Sequence, residues 1–272
     1  MRSNTSNRRQ FFARTAVVSC TIGLAGCLSG GSKRNDGRDS QTTTPNEESE
    51  TSTTENTDST NETRTETSSS PETSDSTTES VRTVSFEAPH GATIEATSYG
   101  SGDCGVVLVP QINMDKESWQ PQAEMIADMG HLALAIDEDP DNRSESVRGA
   151  VRYLDEQRGV STRILVGAST GGEAIVAANA KTDVTVDGTI TLSAAGGADH
   201  ASELHGRSLF VVSEGDDDRF VRLARELHQG APEPKQLIEY DGSAHGQRIF
   251  DSEYGTELRD QIRTFVSRIC GP

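Results

Sequence analysis

A serine flanked by glycines, set between an apolar run and a run of small residues, narrows what residues 81–272 can fold into. Ile164-Leu165-Val166 reads as a buried strand, and Gly167-Ala168-Ser169-Thr170-Gly171 as a tight turn with the serine at its apex. Gly172-Glu173-Ala174-Ile175-Val176-Ala177-Ala178 then reads as a helix of small residues. A turn this sharp holds its serine in a strained backbone that neighbouring glycines make room for. It lifts the hydroxyl clear of the sheet and aims the first helical amides at whatever binds there. In a chain with 25 glycines the five-residue pattern also arises by composition, so the strand before it and the helix after it carry the reading.

Composition decides where the fold lies. From Ser29 to Ser80 no Ala, Val, Ile, Leu, Met, Phe, Trp, Tyr or Cys occurs, and about half of the residues are Ser or Thr. Such a segment has nothing to bury and cannot offset the entropy lost on folding, so it is expected to be disordered. The chain is therefore read as residues 1–27, a leader; residues 28–80, a Ser/Thr/Glu-rich linker; and residues 81–272, one well-buried domain.

In the leader, Arg8-Arg9-Gln10-Phe11-Phe12 resembles a twin-arginine export motif, and Thr15 to Gly26 is too short to span a bilayer. Leu24-Ala25-Gly26-Cys27 resembles a lipobox, which makes Cys27 the residue that is cleaved to the new N-terminus and lipidated; an uncleaved anchor is the alternative. Val17-Val18-Ser19-Cys20 is a rival that leaves too little apolar length after Arg14. Either way the expected location is the outer face of the cell membrane, and one lipid chain anchors only weakly. Of the net charge of −18, residues 81–272 carry −14, with 17 basic against 31 acidic side chains and only three lysines. That surface repels phosphate and argues against a nucleic-acid partner. It resembles the acid-rich surfaces of proteins from salt-loving archaea.

Strands and helices alternate from Gly105 onward, as a parallel sheet covered on both faces requires. Thr83–Glu87 and Ala92–Ala96 read as an antiparallel opening hairpin, and Val106–Val109 as the first wholly buried strand. Ser118 reads as the cap of a helix running to Met129, Leu132–Ile136 as a strand, and Ser144 to Arg158 as a second helix. Beyond the serine turn, strands are expected at Thr189–Leu192, Leu209–Val212 and Gln236–Tyr240. Helices are expected at Phe220–His228 and Glu253–Ile269.

A serine hydroxyl is a weak nucleophile until a base takes its proton, and the base needs an acid to orient it. His245 in Asp241-Gly242-Ser243-Ala244-His245-Gly246 follows the last expected strand and is the expected base. His131 begins a strand, His228 sits in a helix and His90 lies in the hairpin; His200 and His205 lie in the short connection, where contact with substrate is the alternative to the surface reading given to them. A serine turn of this kind resembles that of the α/β-hydrolases, which carry acid and base on the loops after the last two strands; the resemblance implies that the acid lies in Ser213-Glu214-Gly215-Asp216-Asp217-Asp218, where three aspartates compete.

With this order of serine, acid and histidine, residues 81–272 resemble the α/β-hydrolase family, and within it the small esterases and dienelactone-hydrolase-like members that carry serine in place of cysteine. The resemblance implies a mostly parallel central sheet with helices on both faces. The connection of about sixteen residues between Leu192 and Leu209 implies no large cap domain. The family pattern places the acid three positions after a glycine, which selects Asp218, then Asp217, then Asp216. It places the oxyanion donors at the amide of Thr170 and in Pro110-Gln111-Ile112-Asn113, where Gln111 is expected to serve although the family often has His-Gly.

The last helix of such a fold runs antiparallel to the strands. The resemblance therefore brings Cys104 and Cys270 to the same, non-catalytic end and allows a disulfide; two small buried residues are the alternative. The implied activity is hydrolysis of an ester or related acyl bond of a small-molecule or acylated substrate by a monomer through an acyl-enzyme, with no metal and no cofactor. A surface binding domain without turnover and an acyltransferase are the alternatives. The run Asp137-Glu138-Asp139-Pro140-Asp141 lacks a Ca²⁺-loop spacing and is expected to be a solvated turn.

Overall fold

In the computed structural model, residues 81–271 are described. The twin-arginine motif, Cys27 and the linker lie outside the described residues. Eight strands form one sheet: β1 (Arg82–Glu87), β2 (Thr93–Tyr99), β3 (Cys104–Val109), β4 (Leu132–Ile136), β5 (Thr162–Ala168), β6 (Gly188–Leu192), β7 (Arg207–Ser213) and β8 (Lys235–Tyr240). Their order across the sheet is β1-β2-β4-β3-β5-β6-β7-β8. The β1/β2 and β2/β4 pairs are antiparallel and all others parallel.

The main helices are α1 (Gln120–Ala127), α2 (Arg143–Arg152), α3 (Thr170–Lys181), α4 (Asp218–Gly230) and α5 (Gly255–Cys270). Strands β3, β4 and β6 are buried at every position, as expected of parallel strands covered on both faces. On one face Trp119 and Ile126 pack with Leu108, Val166, Phe265 and Val266, so α1 and α5 cover that side. On the other, Val147, Val151, Ile175 and Ala178 pack with Val107, Leu134 and Leu165, so α2 and α3 cover it. Farther along this second layer, Leu227 of α4 packs with Phe210 and with Val176 of α3.

The fold is the α/β-hydrolase fold, with the opening antiparallel hairpin. The connection from β6 to β7 holds only a short 3-10 helix, Ala198–Glu203, and no cap domain. Two local expectations are corrected. Ser118 does not cap α1: it lies inside a 3-10 turn, Lys116–Trp119, and its hydroxyl donates to the Asp115 carbonyl at 2.5 Å. The second helix is α-helical only to Arg152 and continues as a π turn, Tyr153–Gln157, where the widened backbone turns Tyr153 and Leu154 into the core.

The acidic run after β4 is not a uniformly solvated turn either. The Lys116 ammonium binds Asp137 at 2.5 Å, and His90 lies 3.0 Å from Asp139. Glu138 is enclosed, 3.6 Å from the Arg143 Nε. Burial pushes the Glu138 carboxyl up to about 7 against the opposing pull of its own backbone amide and of Arg143. At the other end of the sheet, Cys104 and Cys270 are joined by a disulfide between Cα atoms 5.7 Å apart.

Candidate active site

Ser169 stands where β5 ends and α3 begins, with φ 48° and ψ −113°, in a region that non-glycine residues seldom enter. Three backbone bonds hold it there. Its amide donates to the Leu192 carbonyl at 2.9 Å, and its own carbonyl accepts from the amides of Glu173 at 3.0 Å and Ala195 at 2.9 Å. The turn is thereby fastened to the end of β6 as well as to α3. Glycines permit the close approach. A Cβ on Gly167 would stand 2.4 Å from the Gly171 carbonyl oxygen, and a Cβ on Gly171 would stand 2.4 Å from that of Pro110. The end of β3 thus touches the first turn of α3, and the loop after β3 borders the serine.

The histidine loop reaches the same place from the far end of the chain. A Cβ on Gly246 would lie 3.5 Å from the Ala168 Cβ, so the residue after His245 abuts the residue before Ser169. Among the described residues the Ser169 hydroxyl makes no hydrogen bond, and its residue is 5% exposed. The structure therefore brings the two loops together without closing a bond between serine and histidine.

His245 Nδ1 lies 2.8 Å from Asp216 Oδ2. This corrects the expectation of Asp218. Asp217 spends its carboxylate capping α4, accepting from the Arg219 amide at 2.9 Å, and Asp218 is the exposed first residue of that helix. The loop after β7 is also tied to the histidine loop before the helix begins. The Glu214 amide donates to the Tyr240 carbonyl at 2.7 Å, the Gly215 amide to that of Gly242 at 2.8 Å, and the Ser213 hydroxyl to that of Ala244 at 2.7 Å. A Cβ on Gly215 would stand 2.8 Å from the Gly242 oxygen, so glycine there admits the contact. The first aspartate after Gly215 is consequently the one beneath His245. Its other oxygen, Oδ1, accepts from the Asp217 amide at 2.8 Å.

An ionised carboxylate only accepts, so Nδ1 carries the proton in this pair and Nε2 is left as the basic nitrogen. The Asp216 side chain is 5% exposed and that of His245 is 25% exposed. The Phe220 ring packs on the imidazole with centroids 4.1 Å apart and shields one face of it.

The second oxyanion expectation is also corrected. The Gln111 amide donates to Gln247 Oε1 at 3.1 Å, while Gln111 Oε1 accepts from the Gln247 amide at 2.9 Å. Both residues are buried, so the Gln111 N–H is already spent. The Met114 amide donates to the Gln111 carbonyl at 3.1 Å across a turn with Asn113 at φ 63°. This leaves the Ile112 N–H with no partner among the described residues. The amide of Thr170, at the first position of α3, has no intrahelical acceptor either.

Gln247 escaped the sequence reading. No local signal marks it, because its partner is 136 positions away; its Nε2 donates to the Ser118 hydroxyl at 2.9 Å and extends the tie to the turn before α1. Asp217 could be set aside from the sequence, since an aspartate followed by Asp-Arg-Phe reads as a helix cap, but nothing local separates Asp216 from Asp218. Beside the serine turn, Ile112 and Met114 expose large apolar side chains, 55% and 39% respectively, in a depression also lined by Glu138 and Arg143.

No family model matches the sequence, and no curated protein matches it. Solved structures do. The chain superposes on an esterase from Pyrococcus furiosus with a TM-score of 0.62 at 13% identity, covering 71% of this chain and 92% of that one. A dienelactone hydrolase from Anabaena variabilis gives 0.62 at 14% identity, covering 71% and 99%. The esterase domain of a Rhodothermus marinus protein gives 0.59 at 16% identity, covering 71% and 100%. At these identities the likeness is one of fold. The fold is that of the α/β-hydrolases, and these structural neighbours are esterases and a dienelactone hydrolase.

Proposed function

We propose that the chain is a serine hydrolase that cleaves an ester or related acyl bond through an acyl-enzyme, and that it is exported and held at the outer face of the membrane by lipidated Cys27. The observation that carries the catalytic part is the Asp216–His245 pair at 2.8 Å in a loop that abuts the strained turn of Ser169. A binding surface needs neither the strain nor the buried carboxylate under the imidazole.

In this reading the Ser169 Oγ attacks the acyl carbon while His245 Nε2 takes its proton. Apo geometry is looser than that of the substrate complex, so the serine–histidine bond closes when substrate binds. Asp216 holds the tautomer and stabilises the imidazolium as it forms. The tetrahedral oxyanion is received by the amides of Thr170 and Ile112, the donors that the fold leaves unspent. His245 then returns the proton to the leaving oxygen. Water, activated by the same histidine, releases the acid and restores Ser169. The exposed Ile112 and Met114 side chains supply an apolar wall for the acyl portion.

A fluorophosphonate probe tests this reading directly. It is expected to label the folded wild-type chain on Ser169 and to leave Ser169→Ala unlabelled. A folded wild-type chain that carries no adduct on Ser169 sinks the catalytic reading in favour of a binding domain. Mass spectrometry of the N-terminus of the membrane-extracted protein tests the anchor: a diacylglycerol-modified Cys27 is expected, and an intact leader overturns it.

A further inference from the structure

At the amino-terminal ends of the parallel strands, away from Ser169, three ligating side chains converge. Cys104 opens β3, His131 directly precedes β4, and Cys270 ends α5. Their two sulfurs and one imidazole nitrogen all lie within 4.8 Å of one another. Cys104 is 4% exposed and His131 is 6% exposed, while Cys270 is partly exposed at the rim. The Gly100–Gly102 segment closes over the histidine: a Cβ on Gly100 would stand 2.7 Å from the His131 carbonyl oxygen, and one on Gly102 would stand 3.3 Å from its Cα.

His131 Nε2 is fully enclosed and has no hydrogen-bond partner among the described residues. Buried polar nitrogens are nearly always paired, so an orphan on an imidazole that brings one of its nitrogens within 4.8 Å of two sulfurs points to a ligand. The disulfide does not provide one, because its sulfurs are at best weak acceptors.

We propose that Cys104, His131 and Cys270 form a redox-gated site for a thiophilic divalent cation, of which Zn²⁺ is the type. In the oxidised chain the sulfurs are bonded to each other and the site is closed. A dithiol reductant delivers two electrons and two protons, cleaving the S–S bond to two thiols and itself closing to a disulfide. Zn²⁺ then displaces both thiol protons to solvent and takes the two thiolates and the neutral imidazole as ligands. Tetrahedral Zn²⁺ with its usual bond lengths holds such ligand atoms roughly 3.5–3.8 Å apart, so side-chain rotation suffices to assemble the set. The rim at Cys270 admits water as the fourth ligand. The site is independent of the proposed hydrolysis.

The test uses the full chain carrying Cys20→Ser and Cys27→Ser, so that the thiols outside the described residues do not bind metal. The dithiol-reduced protein, freed of reductant, is titrated with Co²⁺ as a spectroscopic probe and then with Zn²⁺. One Co²⁺ per chain is expected, with a thiolate-to-cobalt charge-transfer band, displacement by Zn²⁺ and release of about two protons per ion. A hundredfold excess of Zn²⁺ over Kd is expected to raise Tm by about 5–10 °C in the reduced chain and to leave the oxidised chain unchanged. His131→Asn is expected to weaken binding at least tenfold while the charge-transfer band persists. The proposal is overturned by a reduced chain that shows no charge-transfer band, by an oxidised chain that binds equally well, or by unchanged affinity in His131→Asn. Cys104→Ser is a further check; where it does not fold, the His131→Asn titration decides.

Discussion

Gln111 and Gln247 bind each other twice, amide to side-chain oxygen in both directions, at 3.1 and 2.9 Å. The pair ties the loop after β3 to the loop carrying His245, and Gly246 makes room for it: a Cβ there would stand 2.4 Å from Gln111 Oε1. The histidine is therefore located by two clasps, this one on the β3 side and the Asp216 pair on the β7 side.

Gln247→Ala leaves the buried Gln111 amide without its acceptor, while the backbone N–H at position 247 can still reach Gln111 Oε1. The expected loss is about 1–3 kcal/mol of stability, or roughly 2–10 °C in Tm. Activity towards a chromogenic ester should fall by more than the unfolded fraction accounts for, because the His245 loop loses its register. Equal kcat in the folded variant and the wild type would remove Gln247 from the positioning of the base.

Asp216→Asn is expected to reduce kcat by roughly 10²–10⁴-fold, because the histidine loses the acceptor that fixes its tautomer. Asp217→Asn and Asp218→Asn are expected to retain activity within about threefold. Asp217→Ala, which removes the cap of α4, should cost about 1 kcal/mol in thermal unfolding. Full activity in Asp216→Asn alongside a dead Asp218→Asn would reverse the assignment of the acid.

Glu138 makes the stability of this domain depend on pH. Its carboxyl is raised by burial from 4.5 to about 7, so the folded chain keeps a proton that the unfolded chain releases. Stability is therefore lost as pH rises from about 4.5 to about 7, and the loss is complete above that window. The shift corresponds to roughly 3 kcal/mol. Glu138→Gln is expected to raise Tm by about 6–10 °C at pH 8 and by almost nothing at pH 4. Equal shifts at the two pH values would contradict a buried, proton-retaining carboxyl.

Cutting the Cys104–Cys270 disulfide frees a loop closed across 166 residues. Reduction in the presence of a chelator is expected to destabilise the chain by about 5 kcal/mol through the entropy restored to the unfolded state. Denaturant unfolding of oxidised and reduced protein measures it; coincident midpoints would mean that the bond constrains little.

Much of this molecule was legible from local pattern. The short, wholly apolar runs at Leu132–Ile136 and Val106–Val109, set between helical patterns, read as strands covered on both faces, and the strand before Ser169 with the small-residue helix after it marked the glycines there as a sharp strand-to-helix turn. The order serine, acid, histidine matched the α/β-hydrolase pattern once each was placed relative to its strand. Periodicity and turn chemistry act within a few residues, so a single chain displays them.

Tertiary structure alone decided which aspartate faces the histidine and which amide stays unspent. Asp216, Asp217 and Asp218 are chemically identical and adjacent, and only the contact of Gly215 with Gly242 places the first of them under the imidazole. Gln111 is removed as an oxyanion donor by a glutamine 136 positions later, a distance over which no local rule operates. Glu138 likewise looks solvated in an acidic run, yet its side chain is largely buried beside Arg143 at the edge of the depression lined by Ile112 and Met114. Hydrogen bonding and desolvation depend on what surrounds a group in space, and that is set only when distant segments meet.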